Sequence, residues 1–106
     1  PPEAVSGMTA TIANGQITLG WTAPAYATWY NIWLGTGSPD WTPTAFVWLD
    51  ADTLNCGSGG TCTIIPFTLP AGEYVWYIRA WGPGGFSTGG LVDAPGWAEG
   101  PDLVLP

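Results

Sequence analysis

The stretch Leu69-Pro-Ala-Gly-Glu-Tyr-Val-Trp-Tyr-Ile-Arg-Ala-Trp81 decides how this chain folds. A Pro-Gly turn feeds a run whose side chains must alternate between two faces, because a strand repeats every two residues. Tyr74, Trp76, Ile78 and Ala80 share one face; Val75, Tyr77, Arg79 and Trp81 share the other. Both faces are rich in apolar groups. One is therefore expected in the core, and the other calls for a partner.

Working outward, 106 residues suit one domain spanning 1–106, with a single core. Eight Trp, four Tyr and three Phe supply bulk, while 16 Gly and 11 Pro interrupt the chain often. No long segment has a helical apolar period, so short strands joined by tight turns are expected. Reading onward from the N-terminus, strands are predicted at about 8–13, 16–21, 28–35, 45–50, 61–66, 73–81 and 102–105. Asn14-Gly15 is a strong hairpin signal between the first two, since both residues tolerate positive φ. Ile17, Leu19 and Trp21 should point inward from the second strand. Tyr30, Ile32 and Leu34 share one face of the third, with Trp29, Asn31 and Trp33 on the other; either face of the fourth could be the inner one. The span 50–60 reads as a polar, Gly-rich tip, and 82–96, with six Gly and two Pro, as a long flexible loop.

The charge balance excludes several functions. There is one Arg, no Lys and no His against eight acids, a net charge of -7. Phosphate recognition needs a basic patch, so no nucleic acid is expected as a partner. No apolar run approaches the 18 or so residues that cross a bilayer, so no membrane insertion is expected. The start, Pro1-Pro2-Glu3, reads as that of an excerpt or a processed subunit, and the Pro-rich ends resemble stiff spacers between modules.

Cys56 and Cys62 enclose Gly-Ser-Gly-Gly-Thr. Two Cys without His cannot complete a four-ligand zinc site. A disulfide across the mouth of a hairpin suits the spacing, worth roughly 2 kcal/mol by loop entropy. It implies an oxidising compartment, and the chain is expected to be secreted or at a cell surface.

Seven short strands at this pitch suggest an all-β, two-sheet sandwich. Trp21 ending the second strand, Tyr30-Asn-Ile in the third and Leu69-Pro-Ala-Gly-Glu-Tyr74 before the sixth resemble a fibronectin type III domain. Ala80-Trp-Gly-Pro-Gly-Gly85 echoes that family's Gly-containing segment loosely. The Cys pair and Trp-rich strands resemble the modules of bacterial extracellular proteins. The segment from Leu69 to Tyr74 is a residue shorter than the family's usual spacing, and the loop before the last strand is longer. The resemblance implies an immunoglobulin-like sandwich of about seven strands. It also implies a tyrosine corner at Tyr74, a third strand beside the sixth, and a fourth beside the third.

In that arrangement Trp29, Trp33, Tyr77, Arg79 and Trp81 fall on one outward face, which Phe46 and Trp48 of the fourth strand can extend. The candidate interface is Trp29, Trp33, Trp48, Tyr77, Arg79 and Trp81. Arg79 can stack on Trp rings there. Such a face is either a ladder of cross-strand pairs that stiffens the sheet or an interaction surface. The expected role is a non-catalytic extracellular structural or adhesion module: a link of a surface protein or a self-assembling filament subunit. Its partners would be neighbouring copies or modules of the same protein. Pro66 and Pro101 would blunt its edge strands.

The alternative is a carbohydrate-binding module. Trp29 and Trp33, about 13 Å apart along a strand, would stack sugars together with Trp48 and Trp81. Only Thr28, Asn31 and Arg79 stand nearby to bond hydroxyls, which ranks this reading second.

Asp50, Asp52 and Asn55 could offer calcium oxygens, but the full loop pattern is missing and Asp-rich turns usually bond their own backbone. No metal or cofactor is expected. Ser6, Ser38, Ser58 and Ser87 lack a partner base, and the acids Glu73, Asp93, Glu99 and Asp102 do not form an evident pair. No enzymatic activity is expected.

Overall fold

The computed structural model describes residues 1–64 and 68–106. Its strands are β1 (Ser6–Ala13), β2 (Gln16–Thr22), β3 (Trp29–Gly35), β4 (Pro43–Asp50), β5 (Thr61–Ile64), β6 (Gly72–Gly82), β7 (Gly85–Phe86), β8 (Ala98–Glu99) and β9 (Leu103–Leu105). One short helix, α1 (Ala51–Leu54), follows β4.

The strands form two antiparallel sheets, β1-β2-β5 and β4-β3-β6 with β7, β8 and β9 added along β6. β6 is eleven residues long and organises the larger sheet. β3 pairs with one of its edges from Trp29↔Trp81 to Gly35↔Val75. The other edge is covered in three pieces: β9 at Gly72–Tyr74, β8 at Tyr77–Ile78 and β7 at Trp81–Gly82. The all-β sandwich expected from the alternation is what forms.

One core lies between the sheets. Ile17, Leu19 and Trp21 are fully buried, as are Tyr30, Trp76, Ile78 and Ala80; Ile32, Leu34, Tyr74, Leu103 and Leu105 join them. Trp21 meets Tyr30 edge-on at 5.1 Å, a geometry that sets a positive ring edge against a negative face. The Trp76 indole N–H donates to the Pro101 carbonyl at 2.9 Å, so this buried ring meets its polar requirement. A Cβ at Gly100 would collide with the same indole, so only glycine lets the β8–β9 connection pass so close. The Tyr74 hydroxyl donates to the Pro70 carbonyl at 2.9 Å and closes the corner into β6. Asn14 and Gly15, at φ 52° and 75°, make the expected β1–β2 turn.

Several expectations are corrected. The span 50–60 is not only a polar tip: the Asp50 carboxylate accepts the Asp52 N–H at 2.7 Å, caps α1 and directs the chain into a helical turn. Cys56 and Cys62 are bonded, with Cα atoms 5.3 Å apart. They do not close a hairpin, however. Cys56 follows α1, whereas Cys62 sits in β5, whose partner is β2, so the bond ties a loop to the smaller sheet. Pro101 lies between β8 and β9 rather than in a strand. Pro66 and the last residues of the predicted fifth strand lie outside the described residues.

The span 82–96 carries β7 and is tied down at its base. Ala80 N–H donates to Ser87 Oγ at 3.0 Å, and the Ser87 hydroxyl donates on to the Gly96 carbonyl at 2.8 Å. Leu91 and Trp97 then meet through a 2.9 Å backbone bond.

Candidate binding face

Because Tyr30, Ile32 and Leu34 of β3 and Tyr74, Trp76, Ile78 and Ala80 of β6 fill the core, their neighbours must face away from it. The register aligns these outward residues in rows. Trp29 pairs with Trp81, which pairs with Phe86; Trp48, Asn31 and Arg79 align across β4, β3 and β6; Phe46, Trp33 and Tyr77 form a third row that Glu99 extends. On β4, Ala45, Val47 and Leu49 pack toward the core, which settles the open question of its faces. All six residues expected on the aromatic face therefore lie on one side of one sheet.

Arg79 is the hub of that face. Its guanidinium carbon sits 3.7 Å from the Phe86 ring centre, 4.6 Å from that of Trp97 and 6.0 Å from that of Trp48. Its Nε–H donates to Asn31 Oδ1 at 3.1 Å, and Asn31 Nδ2–H donates to the Val47 carbonyl at 3.1 Å. None of these partners is a carboxylate. Burial among rings holds the Arg79 pKa below its ordinary value, since it disfavours the charged form. Asn31 is completely buried although it belongs to the outward row. The rings and Arg79 cover it, and its amide is consumed in holding them.

Arg79 divides the face in two. On one side Trp29, Trp48, Trp81 and Phe86 line a shallow hollow of about 320 Å³, with no charged residue in its lining. Trp29 and Trp81 remain about 40% exposed, Trp48 47% and neighbouring Phe46 54%. On the other side a cleft of about 550 Å³ is lined by Trp33, Trp41, Tyr77 and Trp97, with Asp93 and Glu99 supplying carboxylates. Trp33, Trp41 and Tyr77 have ring centres 6.0–6.2 Å apart. The Tyr77 hydroxyl donates to Glu99 Oε2 at 3.1 Å. Partial burial first, then Glu99 and the charge of Asp102, raise the Tyr77 pKa.

Phe86, Trp97 and Trp41 were not anticipated on this face. Each comes from a Gly- or Pro-rich connection whose path the strand alternation does not define. Their one sequence signal is the presence of large aromatics in otherwise small-residue loops. Of the polar groups expected to serve a sugar on the platform, Thr28 Oγ1–H donates to the Trp81 carbonyl at 3.2 Å, and Asn31 is spent between the Arg79 Nε–H and the Val47 carbonyl. Asp50 is committed to its helix cap, and among the described residues no group of three or more His, Cys, Asp and Glu could hold a metal ion. The Ser87 hydroxyl is engaged under the loop, accepting from the Ala80 N–H and donating to the Gly96 carbonyl.

No family model matches the chain, and no curated protein matches it in sequence.

Proposed function

We propose that this domain is a non-catalytic extracellular structural or adhesion module that binds neighbouring copies of itself, or sister modules, through the uncharged aromatic hollow of its larger sheet. The observation that carries this reading is the hollow itself. Three Trp and a Phe stay 39–47% exposed around a site with no charge in its lining. Contiguous apolar surface of this kind usually marks an interaction site. A chain of net charge -7 would resist pairing with itself, but none of its eight acids lines this hollow, so two such faces can meet where repulsion is weakest.

The sandwich is read as immunoglobulin-like, of the fibronectin type III kind. The grouping of the first, second and fifth strands against the rest supports this, as does the Tyr74–Pro70 bond. Location outside the cell is supported by the disulfide, and no helix among the described residues is long and apolar enough to cross a membrane.

Trp81→Ser tests the contact. It removes a two-fifths exposed ring from the hollow and should abolish self-association while leaving the cooperative fold intact. Undiminished association of a folded Trp81→Ser chain would refute the assignment.

A further inference from the structure

The geometry points to a second site, separate from the contact hollow: the cleft between Trp33, Trp41, Tyr77 and Trp97 binds a neutral saccharide, whose hydroxyls bond Asp93 and Glu99. Its volume, about 550 Å³, lies within the range of small-ligand sites, and it joins a mostly apolar wall to a few polar groups, as such sites do.

Trp41 carries the first part of the argument. It sits in a loop at φ 48°, a left-handed backbone that is an outlier for so bulky a residue. The strain places its ring against Trp33 and Tyr77, yet the residue stays 49% exposed, so core packing does not account for it. The three rings touch one another in a continuous, faceted wall. Such a wall matches the flat C–H face of a pyranose.

The polar side selects the ligand. Asp93 stands exposed in the 82–96 span, and Glu99 is oriented by the Tyr77 hydroxyl, which occupies one of its two oxygens. Ionised carboxylates only accept hydrogen bonds, so the ligand must donate. Anionic ligands meet two negative charges and no cation in the lining. An apolar peptide side chain would strip water from both acids without returning a hydrogen bond. A compact cation is a poorer fit, because the wall rings contact each other rather than enclose a hole. Arg79, on the divide between the two sites, also already holds Trp97. A hydroxylated, uncharged ring with one apolar face satisfies both walls.

The test titrates the intact, non-reduced chain with cellohexaose, xylohexaose, mannohexaose and chitohexaose. Binding is followed by Trp fluorescence and calorimetry, with spermidine and tetramethylammonium as cationic probes. At least one glycan should bind saturably. Trp41→Asn, which suits the left-handed backbone, should keep or raise the melting temperature and weaken binding about tenfold or more, a loss of ~1.4 kcal/mol. Asp93→Asn should also weaken binding, and Trp48→Ser in the other hollow should leave it unchanged. The assignment is overturned if no glycan of the panel binds, if Trp41→Asn binds as well as the parent, if only Trp48→Ser loses binding, or if the cations bind and the glycans do not. Self-association is read separately by mass, so failure here does not touch the contact hollow.

Discussion

Arg79→Ala should destabilise the domain far more than an ordinary surface substitution. The change removes the one donor that, among the described residues, reaches Asn31 Oδ1, and Asn31 is completely buried. Leaving a buried acceptor unpaired costs about 1–3 kcal/mol. Loss of the close contacts with Phe86 and Trp97 adds about 0.5–1 kcal/mol each. The sum is about 2–5 kcal/mol, which for a chain of this length lowers the melting temperature by roughly 10–25 °C. Arg79→Lys keeps the charge but lacks the planar fork, so it should recover less than half of the loss. Thermal unfolding of Arg79→Ala, Asn31→Ala and the double variant, followed by circular dichroism, isolates the pair. The two changes should be non-additive by ~1 kcal/mol or more. A shift for Arg79→Ala below about 4 °C, equivalent to ~1 kcal/mol, would refute the view that Arg79 and Asn31 hold the face together.

Replacing both Cys56 and Cys62 by Ser opens a ring with a sequence separation of 6 and should cost about 2 kcal/mol, or ~10 °C, with the fold retained. Melting curves with and without reductant check this, and identical curves would contradict it. At alkaline pH, burial raises the phenol pKa of Tyr30 and, with Glu99, that of Tyr77. A raised acid pKa favours the neutral form in the fold, so this stabilisation is complete below the ordinary tyrosine range and is lost as pH rises through the higher folded values. Denaturant melts from neutral to strongly alkaline pH should show stability falling only in that upper range. A decline already present near neutrality would break the argument. Arg79 is also the one internal trypsin site, and it lies inside β6. Cleavage there should track global unfolding in denaturant, and rapid cleavage in native buffer would mean that β6 opens locally.

The sheet faces were legible in the sequence because period-2 alternation in β2, β3 and β6 leaves little choice of which side is buried. Trp76 and Tyr30 cannot be core residues unless Tyr77, Trp29 and their row-mates face outward. The hairpin at Asn14-Gly15 was legible for a local reason, positive φ, and the corner at Tyr74 through the resemblance carried by Leu69–Tyr74, where the phenol donates to the Pro70 carbonyl. What alternation could not reveal was the course of the loops. The partnership of Arg79 with Phe86 and Trp97 depends on Ser87 anchoring the 82–96 span to β6, a contact with no sequence period. Likewise, the burial of Asn31 follows from the rings that close over it rather than from its own polarity. The Asp50 cap is a signal the sequence does carry, but a single four-residue turn is too short to show an apolar period.

The most direct test of the contact face is the solution mass of the purified, non-reduced chain by light scattering across concentration and salt. Mass should rise above the 11.1 kDa of one chain as concentration increases. It should rise further with salt, which screens the net charge of -7 while leaving the aromatic contact intact. A mass fixed at one chain under every condition would contradict the proposal that its aromatic hollow joins copies of this module.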